Sequence, residues 1–389
     1  MKYNFDEIID RKNTNSLKYD FAVERGKPEG VLPLWVADMD FRVPPCVQDK
    51  IKEHVERGIF GYSDAKSEYF HAIENWYKQY YGYQLREEWL VKTPGVVFAI
   101  AASIRAFSER GDGVLIQPPV YYPFREEILY NSRKLVTNEL HLSGERYEID
   151  LGDFENKIRK NKVKLFILCN PHNPVGRVFR EDELRRMGEI CARHGVIVVA
   201  DEIHSDLIFP GHKHIVFAGL SEEFEQMTIS CTSPSKTFNL AGLQVANIFI
   251  ANKGLRAKFN KAVAQTGYGQ LNLFGLVASQ AAYESGREWL EQLGEYLNGN
   301  LKFARDFLLN RLDGVRLIEP EGTYLIWLDC RGLSLNEEER EELIVKKAGL
   351  WLDSGRMFGE CGEGFERINI ACPRKTLETA FYRLLEALG

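Results

Sequence analysis

The sequence contains no C-x-x-C, no H-E-x-x-H and no Cys/His cluster at ligand spacing, so nothing in it calls for a metal. No G-x-G-x-x-G follows a strand-like run, which leaves a nicotinamide dehydrogenase unsupported. Basic blocks are missing and the net charge is -6, so nucleic acid is not an expected partner. No apolar run reaches the roughly eighteen residues of a membrane span, and no membrane association is expected. The start, Met1-Lys2-Tyr3-Asn4-Phe5-Asp6, lacks the apolar core of a signal peptide. Internal repeats and low-complexity linkers are absent as well. Seven cysteines (Cys46, Cys169, Cys191, Cys231, Cys330, Cys361 and Cys372) are odd in number and widely spaced. They read as reduced, buried, small hydrophobes, with a catalytic thiol the lesser reading, and a cytoplasmic protein is expected.

What is present is ordinary globular composition: 389 residues, 44% apolar and 27% charged. That length exceeds what one core usually supports, so two packed units are expected. Residues 32–41 form an extended apolar segment closed by Pro44-Pro45. The middle of the chain alternates strand and helix. Residues 164–169 read as a buried strand. Residues 181–194 read as a helix, opened by three acids, closed by Arg193 and His194, and stopped by Gly195. Residues 196–200 read as the next strand. This βαβ spacing implies a parallel, buried sheet, and 246–251 adds another apolar run. After about residue 285 the pattern changes. A long amphipathic helix over 288–312, two strands around Gly322 within 315–329, a strand over 367–371 and a last helix over 375–388 make a smaller α+β unit. Leu377, Phe381, Leu384 and Leu388 share one face of that last helix.

Three polar residues each follow an expected strand. Lys236 lies in Ser233-Pro234-Ser235-Lys236-Thr237-Phe238-Asn239-Leu240-Ala241-Gly242, after the apolar run 227–231. A lysine in that setting is placed to form a Schiff base with an aldehyde cofactor, and the hydroxyls beside it to bind a phosphate. Asp201, in Asp201-Glu202-Ile203-His204, ends an apolar strand, where a carboxylate needs a cationic partner unless it merely caps a turn. Asn170 opens Asn170-Pro171-His172-Asn173-Pro174-Val175-Gly176. In open parallel sheets, ligands bind outside the carboxyl ends of the strands, and one shared site there explains all three. A phosphate also needs free N–H groups at a helix start. Thr93-Pro94-Gly95-Val96-Val97 opens a helical run through Phe107, so Gly95, Val96 and Val97 are candidates.

Together these segments resemble the fold type I pyridoxal-phosphate (PLP) enzymes, the aspartate-aminotransferase or class I/II aminotransferase superfamily. The resemblance covers the chain from about Val31 to the end. It implies a large PLP-binding domain with a mainly parallel sheet in three αβα layers, plus a smaller α+β domain. The expected boundaries are 1–45 for an N-terminal segment packing on the small domain and substrate entrance, 46–285 for the large domain and 286–389 for the small one. It implies that Asp201 faces the pyridinium nitrogen, that Asn173 bonds the ring oxygen, that Tyr121 stacks on the ring and that Ser233 takes the phosphate, with Ser235 adding a hydroxyl. His204 stands where the family usually has a tyrosine donating to the ring oxygen; a structural histidine is the alternative. Gln244 stands where the family usually has a phosphate-binding arginine. Tyr62 matches a tyrosine given to the phosphate across a dimer interface, which implies a homodimer with shared sites. Arg367 matches the arginine that grips the substrate carboxylate, with Ala37 and Asn173 beside it.

Within the superfamily, Trp35-Val36-Ala37-Asp38-Met39-Asp40-Phe41, the histidine after Asp201-Glu202-Ile203 and the Lys236 segment through Gln244 are similar to the cystathionine β-lyase-like C–S lyases. The resemblance implies β-elimination from an S-substituted cysteine to a thiol, pyruvate and ammonia. Lys236 would be the base at Cα, and the proton on the departing sulfur would come from Lys236 or Tyr121. An aminotransferase on the same fold, or a PLP-binding regulatory protein with slow turnover, is the alternative.

Overall fold

The computed structural model describes residues 2–389. Seven strands form its main sheet: β1 (Leu90–Thr93), β2 (Gly113–Ile116), β3 (Lys134–Thr137), β4 (Val163–Cys169), β5 (Ile197–Asp201), β6 (Thr228–Thr232) and β7 (Ala246–Phe249). Their order is β1-β7-β6-β5-β4-β2-β3. All neighbours run parallel except β7, which is antiparallel to both β6 and β1. Two reversals restore the direction, so β1 also ends at the edge where β4, β5 and β6 end.

The strands are apolar because both faces are covered. Alternate residues go to opposite faces. Leu115, Phe166, Leu168, Val198 and Ala200 pack with Leu184, Met187 and Cys191 on one side. Val114, Ile116, Leu165, Ile167 and Val199 pack with Ala99, Ile100 and Ile104 on the other. Helix α1 (Val96–Phe107) lies in this second layer and α2 (Glu181–His194) in the first. The bounds of α2 match the charge pattern: Glu181, Asp182 and Glu183 sit in its first turn, Arg193 and His194 in its last, and Gly195 ends it at φ 65. The result is the expected three-layer αβα arrangement.

A second, four-stranded antiparallel sheet follows: β8 (Arg316–Ile318), β9 (Leu325–Asp329), β10 (Asp353–Ser354) and β11 (Phe365–Asn369), in order β8-β9-β11-β10. The last strand ends two residues earlier than 367–371 predicts, because the Asn369 side chain accepts the Ala371 N–H at 2.8 Å and turns the chain. Long helix Arg287–Arg311 and terminal helix Arg374–Leu388 pack beside this sheet. Leu377, Phe381 and Leu384 of the latter are buried as its pattern predicts, and Leu388 is only partly so. The extended segment 32–41 forms little regular structure. Only Leu32–Pro33 is a strand, paired in parallel with Leu350–Trp351. The remainder is a strap fixed mostly by side chains from elsewhere, with backbone bonds at Leu34 and Asp40. All seven cysteines are unpaired, and five are buried.

Candidate active site

A cavity of about 280 Å³ opens at the carboxyl edge of the main sheet. Loops after β1, β4, β5 and β6 and the turn before β7 supply its walls. Gly95, Val96, Val97, Tyr121, Asn173, Asp201, His204, Ser235 and Lys236 all line it, as do Ala37 and Gln244.

Lys236 sits on a one-turn helix, Pro234–Thr237, directly after β6. The Ser233 hydroxyl caps that turn by accepting the Ser235 N–H at 3.0 Å. Its far end is tied down by Thr237, whose hydroxyl donates to Asp206 at 2.6 Å. Asp206 also accepts from Trp76 Nε1 at 2.8 Å and from the Tyr81 hydroxyl, so it is a saturated anchor. The lysine side chain donates to the Ala37 carbonyl at 2.6 Å. Burial lowers its pKa to about 8, although the Asp38 carboxylate opposes that shift.

Asp201 is the last residue of β5 and is buried. One oxygen accepts the Ile203 N–H at 3.1 Å, and no cation among the described residues lies within ion-pair distance. Desolvation raises its pKa to about 7, against the attraction of Lys236. It is a carboxylate in search of a positive charge. His204 is buried with an unpartnered Nδ1. Burial first, and then the positive charges of Lys236 and Arg367, push its pKa far down, so the imidazole is neutral. Burial holds Tyr121 protonated across the physiological range.

At the other end of the cavity, Gly95 precedes α1, and a side chain there would project into open space. The first N–H groups of α1 have no partners within the helix. Ser235 and the Gln244 amide complete this end, and Lys236 is the one cation among the described residues of the lining. Ser233 is placed differently from the sequence expectation. Its hydroxyl donates to the Val245 carbonyl at 2.6 Å while capping the Lys236 turn, so it stands outside the lining. Tyr62 is also outside. It is 100% exposed and lines a separate groove, which shares Gln244 with the cavity.

Arg367, on β11, is buried next to Asn173. Its Nη1 donates to Asn173 Oδ1 at 3.0 Å and its Nη2 to the Trp35 carbonyl at 2.6 Å and to Asp353. Its Nε has no partner. The strap 35–41 closes this side. Tyr324 donates to the Ala37 carbonyl at 2.9 Å, and the Asn369 amide donates to the carbonyls of Val36 and Asp38. Asn239 accepts the Met39 N–H and donates to the carbonyls of Met39 and Phe41. Tyr324 and Asn369 escape sequence reasoning, since nothing local marks a residue whose partner lies hundreds of positions away, and Asp353 pairs with Arg367 only because two strands of the small sheet lie side by side. Asn239 had a signal, being a polar residue three positions after the candidate lysine.

A lysine of lowered pKa, an uncompensated carboxylate and an anion-ready helix start around one cavity, with a buried arginine bonded to Asn173 in its wall, define a site for an aldehyde cofactor and an amino-acid substrate. The chain belongs to the class I and II aminotransferase family, whose model matches residues 29–384. It is 42% identical to the cystathionine beta-lyase PatB of Bacillus subtilis over 99% of this chain and 100% of that one. Cystalysin of Treponema denticola, solved with a pyridoxal 5'-phosphate cofactor, superposes with a TM-score of 0.96 at 36% identity, covering 100% of this chain and 99% of the other. The PLP-bound C-S lyase of Staphylococcus hominis does so with a TM-score of 0.94 at 35% identity, covering 100% and 98%.

Proposed function

We propose that this protein is a PLP-dependent C–S β-lyase that eliminates the thiol from L-cystathionine or a related S-substituted cysteine, giving pyruvate and ammonia. The observation that carries the reading is the cavity in which Lys236, Asp201, Asn173 and the start of α1 meet. Full-length similarity to lyases supports the choice of reaction.

The residues present fit the cofactor. Asp201 lacks a cation that a protonated ring nitrogen supplies. The orphaned His204 Nδ1 and Asn173, both in the cavity lining, would be the groups to meet a ring oxygen. Val96, Val97, Ser235 and Gln244 would hold the phosphate through dipoles and a hydroxyl, with no arginine among them. When bound, PLP supplies an aldehyde that joins amines reversibly and a ring that accepts the electron pair left at Cα.

The chain's own groups do the rest. Arg367 grips the α-carboxylate, with its unpartnered Nε as the free donor. Lys236 Nζ takes the Cα proton, and a pKa of about 8 leaves a useful fraction uncharged near neutrality. Asp201 keeps the ring nitrogen protonated. Either Lys236 or the protonated Tyr121 hydroxyl delivers a proton to the departing sulfur. The strap supplies one wall of the site through Ala37.

We also assign a homodimer. Val55, Ile59, Phe60 and Tyr62 are large apolar residues exposed within one short stretch, a pattern that marks an interface. Tyr62 would reach the phosphate in the partner's site. Mixed dimers of Tyr62→Ala and Lys236→Ala chains should then regain one whole site; exchange without recovered activity would count against sharing. The unpaired thiols suit a reducing compartment, and we assign the cytoplasm. No helix among the described residues is long and apolar enough to cross a membrane. The reaction is tested by adding L-cystathionine to protein loaded with PLP. Pyruvate release without any added keto acid supports the lyase, whereas amino transfer that requires a keto acid supports an aminotransferase.

A further inference from the structure

Arg367 has a long, flexible side chain, and a grip on a small carboxylate needs it in one orientation. Four groups fix it. Nη1 donates to Asn173 Oδ1 at 3.0 Å, and Nη2 donates to the Trp35 carbonyl at 2.6 Å and to Asp353. The guanidinium lies over the Phe358 ring, 4.9 Å from its centroid. Both Nη2 hydrogens are thereby used. One Nη1 hydrogen and the unpartnered Nε hydrogen are left for a ligand.

Two of the four groups come from one short segment. Strands β10 and β11 are antiparallel with Asp353 opposite Arg367, so the carboxylate meets the guanidinium across the strands. The turn Gly355–Phe358 follows β10 directly and brings up the Phe358 ring. That turn is pressed onto the small sheet: a side chain at Gly355 would collide with the Gly362 carbonyl oxygen and stand 2.7 Å from that of Phe365. Asp353 is buried, yet it lines a separate cleft and not the cofactor cavity. It acts on a ligand in the cavity only through Arg367. Stability alone does not account for the pair. Burying two charges costs solvation that their attraction only about balances, and well-packed apolar residues often serve as well or better.

We propose that Asp353 is a positioning residue for Arg367, its short carboxylate setting the guanidinium in the orientation that receives the substrate's α-carboxylate. This rests on the assignment of Arg367 in the function proposed above. What matters is an acceptor oxygen at that reach. Asn keeps the oxygen in place, Glu keeps the charge but moves it out by a methylene, and Ala removes both.

The test titrates PLP-loaded protein with L-alanine, which carries the carboxylate, and with ethylamine, which lacks it, and takes each Kd from the absorbance change. Asp353→Ala and Asp353→Glu should each weaken L-alanine about 10-fold, the size of one hydrogen bond to a charged group, and leave ethylamine unchanged. Asp353→Asn should keep most of the affinity. With L-cystathionine, the Ala and Glu variants should show the loss in KM more than in kcat. Should Asp353→Ala fail to fold, Asp353→Glu carries the test. L-Alanine binding unchanged in Asp353→Glu, a full loss in Asp353→Asn, or equal weakening of L-alanine and ethylamine overturns the positioning role. Arg367→Ala tests the level beneath. If it binds L-alanine as the unsubstituted protein does, the arginine assignment fails and this inference fails with it. No absorbance change with either amine in the unsubstituted protein contradicts the PLP reading itself.

Discussion

At the sheet edge, each reactive side chain is among the first polar residues after an apolar strand, and the local chain fixes it. Asp201 ends β5, and Lys236 follows β6 by a single capped turn. Across the cavity, the strap 35–41 has no strand partner of its own. Tyr324, Asn239, Arg367 and Asn369 hold it from between 198 and 333 positions away. The first wall is set by packed strands whatever the second does. The second exists only when the whole chain has folded around it. Substitutions at the edge should therefore harm chemistry and spare stability, and substitutions in the strap's anchors should harm both stability and substrate binding.

The sharpest contrast is expected at Lys236. Lys236→Ala should abolish turnover and the yellow colour of PLP-loaded protein, while the circular dichroism spectrum and cooperative melting persist. An unfolded variant would make Lys236 a structural residue and erase the distinction between the walls.

Asp201 comes next. Asp201→Ala should lose about 4 kcal/mol of barrier stabilisation, roughly 10³-fold in kcat, with a smaller loss of cofactor affinity. Its raised pKa has a second consequence. In cofactor-free protein the folded state holds the Asp201 proton up to a pKa of about 7, above the ordinary value of 3.8. Ionisation therefore destabilises the fold, with the penalty absent below the ordinary value, growing through the window between the two and complete above about 7. Asp201→Asn should be the more stable protein near pH 7.5. Denaturant titrations should show that advantage narrow by about 2 kcal/mol on going to about pH 5. A constant difference across that range would mean that the carboxylate is not desolvated.

On the strap, Asn239→Ala removes three hydrogen bonds and should cost about 2 kcal/mol in urea unfolding. It should raise KM more than it lowers kcat; a pure kcat effect at unchanged stability would blur the two walls. The smallest effect is expected at Tyr62, where Tyr62→Phe should weaken PLP binding by about 1 kcal/mol, one hydrogen bond, as read by equilibrium titration.

The same contrast explains what could be read in advance. An apolar strand that ends in a polar residue is a local pattern, and it made Asp201, Asn170 and Lys236 visible together at one sheet edge. The bounds of α2 were legible because dipole and stop signals lie within the helix itself. Residues 32–41 read only as an extended apolar segment; the strap is held largely by side chains of distant residues, with backbone bonds at Leu34 and Asp40, and no local pattern encodes these partners. Ser233 looked like a phosphate ligand from its motif. A hydroxyl flanking a turn also serves as a cap, and the bond to Val245, which depends on β7 lying alongside, takes its proton.

The most direct measurement is the stoichiometry of product against active sites, with L-cystathionine as the only substrate and no keto acid present. The account predicts one pyruvate for each thiol released, continuing over many turnovers per Lys236-bearing site. An amino group retained by the protein, with product formation stopping after about one equivalent per site until a keto acid is added, would contradict it.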